Sequence, residues 1–223
     1  MLSDSDIAGC DLAWWPDWST RSCAIIAGGP SAAAADIEQI RLSTCAVIAV
    51  NDAHRLAPWA DVLYACDAKW WRASPKARAR LGLKISGSPE PELFVSYPTI
   101  KRVTIAREGG SYSRQMWLDT KGVIGGGYNS GFQALNLAVQ FGCRDVLLIG
   151  FDCTVKHGAH WHGEHAPPLT NPSPALCNSW RDVLDAQAGT LAAHGVVARN
   201  ASAVSTLQNF QKITVRQWLN DHQ

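Results

Sequence analysis

No CxxC pair occurs among the seven cysteines, and their number is odd. That argues against a disulfide framework and points to a reducing cytoplasm, with the thiols inside apolar runs packing as small hydrophobes. An excess of charge is equally absent. Lys and Arg number 20 against 19 Asp and Glu, a formal net charge of +1. A dedicated nucleic-acid binder carries a strong basic excess, whereas here Lys76, Arg78 and Arg80 form only a local patch. No apolar stretch is longer than a strand, so no segment is expected to span a membrane. The stretch Met1 to Asp6 is polar and acidic and lacks the basic region of a secretory leader. Internal repeats and low-complexity tracts are missing too.

What is present is globular. Hydrophobic residues make up 47% and charged residues 17% of the 223 positions, well away from disorder. The length suits one large α/β domain. Ten tryptophans are many. Most are expected to pack in the core, while the pair Trp70 and Trp71 could line a substrate groove. Residues 1–20 read as an appended segment docked through Trp14, Trp15 and Trp18. Residues 21–223 read as the main domain.

Short apolar runs predict buried strands at Cys23 to Ala27, Cys45 to Val50, Asp61 to Cys66, Asp145 to Ile149 and Val196 to Arg199. Helices are predicted at Ala32 to Arg41 with Ser31 as cap, at Lys69 to Leu81 with a break near Pro75, and at Asn129 to Phe141 with Gly142 closing it. Two more are predicted at Pro174 to His194 and Val215 to Asp221. The stretch Leu83 to Arg107, broken by Pro89, Pro91 and Pro98, reads as an irregular insertion or edge strands. The alternation predicts a single Rossmann-like α/β domain: a mainly parallel sheet with helices on both faces.

In open α/β sheets, ligands bind beyond the carboxyl ends of the strands. Gly28-Gly29-Pro30-Ser31, Asn51-Asp52, Asp67 and Asp152 all fall there. The first group puts glycines and a helix start where a phosphate would approach, although it is neither the dinucleotide fingerprint nor a P-loop. Gly125-Gly126-Gly127, followed by Asn129 and Ser130, is a second such loop. Asn51 and Asp52 offer contacts to a ribose or base, or else an Asx turn. Asp67, with Asp152, hints at Mg2+, because a carboxylate near a phosphate is repulsive unless a cation lies between them.

The most unusual stretch runs from His157 to His165 and holds four of the seven histidines. Three readings compete: a transition-metal site of His160, His162, His165 and Glu164; a general acid/base histidine on a loop over the site; and a polar surface loop whose histidines only pack.

These residues resemble two related families. One is the Campylobacter-type bacterial sialyltransferases. The other is the 6-hydroxymethylpterin pyrophosphokinase-like Rossmann proteins, which have phage relatives. The resemblance rests on the turn Ala27-Gly28-Gly29-Pro30-Ser31, the strand end Val50-Asn51, and Asn129-Ser130-Gly131 followed by Leu148-Ile149-Gly150-Phe151-Asp152. The closing Asn200-Ala201-Ser202 and Leu207 to Phe210 extend it over most of residues 22–212. The sialyltransferases carry Asn where Gly29 and Asp67 stand here. They place a catalytic base histidine on the loop that corresponds to His160 to His165. The Trp-containing histidine loop is similar to that of phage-encoded relatives.

The resemblance implies a nucleotide-dependent transferase, foremost a glycosyltransferase that moves a sugar from a nucleotide-sugar donor to a hydroxyl. Gly28, Gly29, Pro30, Ser31, Gly126, Gly127, Asn129 and Ser130 would hold donor phosphate and ribose, and Asn51 and Asp52 the nucleoside. Asp67 and Asp152 would hold a metal or orient the acceptor. His162 or His165 would be the base. The acceptor is a glycan, a small molecule or a modified nucleobase, and homo-oligomerisation stays open. The expected setting is cytoplasmic, including a phage-encoded protein in its bacterial host. The alternatives are an ATP/Mg2+-dependent pyrophosphokinase-like enzyme and a non-catalytic phage accessory or binding protein with the same fold.

Overall fold

In the computed structural model, residues 12–221 are described; Met1 to Asp6 and Cys10, discussed above, lie outside them. The strands are β1 (Cys23–Ile26), β2 (Ala46–Val50), β3 (Val62–Tyr64), β4 (Leu83–Ser86), β5 (Ile100–Arg102), β6 (Thr104–Ile105), β7 (Arg107–Glu108), β8 (Ser111–Tyr112), β9 (Val123–Ile124), β10 (Asp145–Ile149), β11 (Val197–Asn200) and β12 (Gln211–Lys212). The α-helices are α1 (Ile37–Arg41), α2 (Ala68–Ala73), α3 (Pro75–Ala79), α4 (Pro91–Ser96), α5 (Ser130–Gln140), α6 (Pro174–Asp185), α7 (Ala188–Ala193) and α8 (Val215–Asn220).

Eight strands form one sheet in the order β12-β11-β10-β1-β2-β3-β4-β5, and every neighbouring pair is parallel. The central strands are buried on both faces, which is why they read as unbroken apolar runs and not as alternation. Ile25, Ile48 and Leu148 point to one side, where Phe132, Leu135, Ala138 and Leu184 cover them. Ala24, Ile26, Val47, Leu147 and Ile149 point to the other, under Ile37, Ile40, Val215 and Trp218. The predicted parallel sheet with helices on both faces is the architecture found.

Several elements differ from expectation. The helix predicted from Ala32 to Arg41 is a 3-10 turn at Pro30–Ala34, an extended Ala35 and then α1. Ser31 does not cap it, because its hydroxyl donates to Asp152. Of the two readings of the stretch from Leu83 to Arg107, the insertion fails and the edge strands hold in part. The stretch supplies β4 inside the sheet and β5 at its edge, and Pro91 starts α4 at a first-turn position where a missing N–H costs nothing. The helix predicted from Pro174 to His194 is two helices, α6 and α7. Between them the fully buried Gln187 accepts from Met116 N and donates to Arg114 O.

The Trp14–Trp18 segment docks as expected. Trp15 and Trp18 each pack edge-on against Phe141, at ring-centroid distances of 4.8 Å. The Trp70/Trp71 pair divides: Trp71 is fully buried and donates to Ala65 O, while Trp70 reaches the cleft described below. Arg78 and Arg80 form no open patch, since their guanidiniums donate to the carbonyls of Trp71, Arg72, Pro58 and Ala60. No helix among the described residues is long and apolar enough to cross a membrane.

Candidate active site

The chain leaves β1 toward β5 on one side and returns through β10 to β12 on the other, so the strand order reverses between β1 and β10. Beyond such a reversal, the loops part and leave a crevice. Here a cleft of about 490 Å³ opens over the carboxyl ends of β1, β2, β3 and β10. Gly28, Gly29, Asn51, Asp52, Asp67, Asn129, Ser130, Asp152, His160, His162 and His165 all line it.

The first loop is held by the protein's own carboxylate. Asp152 is 2% exposed. One of its oxygens accepts from Ser31 N at 2.9 Å, and the other accepts from the Ser31 hydroxyl. Ser31 Oγ and Ser202 Oγ are hydrogen-bonded at 2.9 Å, with the Ser31 proton already given to Asp152, and Ser202 Oγ accepts from Phe151 N at 3.0 Å. A Cβ on Gly29 would lie 2.5 Å from Gly150 O and 2.7 Å from the Asp152 carboxyl carbon. This glycine is therefore explained by close packing of the β1 and β10 ends. Pro30 and Ser31 sit behind the cleft wall. With both Asp152 oxygens engaged, the pairing of Asp67 with Asp152 around a cation has no support.

The second glycine loop has a similar explanation. Gly126 N and Gly127 N both donate to Ser113 O at 2.9 Å. A Cβ on Gly126 would meet Tyr112, and one on Gly127 would meet the Phe132 ring. Gly126 and Gly127 are outside the cleft lining, and the residues after them enter it. Asn129 caps α5 by accepting from Phe132 N at 2.9 Å. The helix's first amides, those of Ser130 and Gly131, have no carbonyl one turn back, and both residues line the cleft.

Backbone strain gathers here as well. Three non-glycine residues have left-handed φ among the described residues: Asn51 at 51°, Tyr128 at 51° and Cys153 at 50°. All three line the cleft. Asparagine tolerates that region best; for the others it costs on the order of 1–3 kcal/mol, the kind of strain that clusters at binding sites.

The histidine loop forms the remaining wall. Trp161 N donates to Gly28 O at 3.0 Å, fastening the loop to the end of β1. Asn171 accepts from His165 N at 2.8 Å and donates back to His165 O at 3.2 Å. The His160 and His162 rings stack with planes 9° apart and centroids at 5.2 Å, and His165 lies 4.4 Å from His160 and 4.9 Å from His162. Burial, with the neighbouring His165 and His162, holds the His160 imidazole down to about 4, against the pull of Asp52. Burial also lowers His162, again opposed by Asp52, whose carboxylate is 3.9 Å from His162 Nε2. Asp52 is itself fixed by the Trp70 indole N–H at 2.8 Å. Burial raises the Asp67 carboxyl, opposed by Lys69 and reinforced by Glu90. Glu164 is exposed and takes no part in the cluster.

The structure thus brings Gly28, Gly29, Asn51, Asp52, Asp67, Asn129, Ser130, Asp152 and the histidines to one cleft. Sequence reasoning named Gly131 and Ser202 only within the resemblance, without a site role, and it did not read Asn171 or Trp70's grip on Asp52.

No protein-family profile matches the chain. Among curated proteins, a probable RNA methyltransferase of Arabidopsis thaliana is 35% identical over 49 residues. That stretch is 22% of this chain and spans only 15% of the plant protein's length. Among solved structures, the chain is similar to the Campylobacter jejuni sialyltransferase CstII in complex with cytidine-5'-monophosphate. The TM-score is 0.53 and the identity 12%, over 87% of this chain and 85% of that one. The CstII complex with CMP-3FNeuAc gives a TM-score of 0.51 at 12% identity, over 87% and 86%. At such identity the likeness is one of fold: a Rossmann-like α/β architecture shared with a glycosyltransferase. These matches lend no support to the pyrophosphokinase or phage resemblances.

Proposed function

We propose that the chain is a nucleotide-dependent glycosyltransferase that moves a sugar from a nucleotide-sugar to a hydroxyl acceptor. The observation that carries the reading is that one cleft is lined both by the N-terminus of α5 and by a histidine cluster.

A helix N-terminus favours an anion through its amides and dipole. The Ser130 and Gly131 end is therefore assigned the donor phosphate. Gly28 and Gly29 bound the same space, and Asn51 and Asp52 take the ribose or base. A hydroxyl is a poor nucleophile at neutral pH and needs a base, supplied by His162 or His165. The acceptor oxygen attacks the sugar's anomeric carbon, and the bond from that carbon to the phosphate oxygen breaks. The acceptor proton passes to the imidazole, and the new phosphate charge meets the α5 dipole. Asp152 acts as a brace of the first loop. Asp67, beside Lys69 and Glu90 at the cleft wall, is assigned to the acceptor.

A thermal-shift panel of CMP, UDP, ADP and ATP, each with and without Mg2+, tests the reading. A nucleoside mono- or diphosphate is expected to stabilise the protein without Mg2+. Stabilisation by ATP alone, and only with Mg2+, would replace sugar transfer with pyrophosphoryl transfer. Loss of transfer with retained nucleotide binding in His162→Ala or His165→Ala would identify the base.

A further inference from the structure

We infer that His160, His162 and His165 form a three-histidine site for a divalent transition-metal ion, with zinc the first candidate. Each contributes a ring nitrogen that lies within 4.8 Å of the other two. Tetrahedral Zn–N bonds of about 2.0–2.1 Å set ligand nitrogens roughly 3.4 Å apart, so the nitrogens would approach by up to about 1.4 Å, with the His160 and His162 rings turning out of their parallel stack.

Three further observations support the site. His160 Nδ1 lies on the Gly28 side, 3.4 Å from where a Gly28 Cβ would stand. The opposite nitrogen, Nε2, is buried without a hydrogen-bond partner. Such an orphan costs free energy unless something binds it. The loop is also fastened at both ends of the cluster, by Trp161 N to Gly28 O and by Asn171 to the His165 backbone. Its turns use left-handed Gly158 and Gly163, at φ 114° and 90°. Asp52, held by Trp70, stands 3.9 Å from His162 Nε2, where an outer carboxylate orients a ligating imidazole.

Three nitrogen donors suit zinc and its neighbours in the transition series, whereas Mg2+ takes oxygen. Because all three histidines line the cleft, the fourth position faces it, as in sites that hold a water or substrate oxygen. The inference rests on the cluster alone; an imidazole bound to zinc is no longer a free base, so zinc uptake would take the base role away from His162 and His165 and leave the nucleotide-binding part of the reading untouched.

The test uses the full chain, stripped with chelator and titrated calorimetrically with ZnCl2, with bound metal counted by mass spectrometry. One Zn2+ per chain is expected, and MgCl2 should give no heat. His160→Ala and His165→Ala should each lose more affinity than Asp52→Asn, which removes an outer partner and should cost about 10–100-fold. Circular dichroism checks each variant's fold. Co2+ loaded on the unaltered chain should show a tetrahedral visible spectrum without thiolate charge-transfer bands, which keeps the test open if a variant unfolds. A folded protein that takes up no Zn2+, or one whose affinity survives the loss of any one histidine, would overturn the site. Nucleotide binding is measured on the stripped protein, so failure of one reading leaves the other standing.

Discussion

Asp152 sets the character of the first loop. A helix start behind glycines is a ready anion site, and here the protein fills it with its own carboxylate. Asp152→Ala would leave the Ser31 amide and hydroxyl without that partner, at about 1–3 kcal/mol for each buried group orphaned. The urea midpoint should fall with an unchanged slope, and Asp152→Asn should be milder; an unaltered midpoint in both would contradict the brace. The thiols give a second check. Burial, with Asp67 beside it, pushes Cys66 up to about 12, and burial, with Cys177 nearby, does the same for Cys153. The thiolate is the reactive form, and at pH 8 a thiol titrating near 12 holds only about one part in 10⁴ of it. Peptide-resolved alkylation should therefore be slow at pH 8 and rise about tenfold per pH unit toward pH 11; fast labelling at pH 8 would refute it. Gly28, Asn51, Asp52 and Asp67 were legible in the sequence because apolar runs end beside them. Gly126 and Gly127 misled, because a glycine that clears Tyr112 or Phe132 looks like one that clears a phosphate. Ser202 was beyond local reading, since its bond to Ser31 spans 171 positions.

At the scale of elements, α5 does more than cover the sheet. Gln133, Asn136 and Gln140 follow helical spacing along one side of it. Gln133 donates to Gly126 O and accepts from the Tyr64 hydroxyl. Gln140 donates to the carbonyls of Trp117, Thr120 and Val123. Asn136, fully buried, accepts from Trp117 N and Gly125 N at 2.9 Å and donates to Trp117 O at 2.8 Å. These amides tie the 111–126 segment to the helix that points at the cleft. Asn136→Ala would orphan three backbone groups at about 1–3 kcal/mol each. It should lower the melting temperature more than Asn178→Ala, whose contact with Arg181 is on the surface. Equal effects would contradict the role. Strands β1, β2 and β10 were readable because burial on both faces demands apolar residues. The pairs β6–β9 and β7–β8 were not, since two-residue strands carry no periodicity. The prolines around α4 were read as breakers because a proline at a helix start and one that stops a strand are the same residue in sequence.

For the whole molecule, an all-parallel sheet with its reversal between β1 and β10 places every carboxyl end on one side. Residues from both halves of the chain therefore meet in one cleft without any local motif to announce it. The central claim is that this cleft takes a nucleotide with its phosphate on α5. A crystal structure of the full chain soaked with CMP, UDP and ADP tests it most directly. The account predicts phosphate oxygens against the Ser130 and Gly131 amides, the nucleoside beside Asn51 and Asp52, and Asp152 still bonded to Ser31. A phosphate seated on the Ser31 amide with Asp152 displaced, or a nucleotide bound outside the cleft, would contradict it.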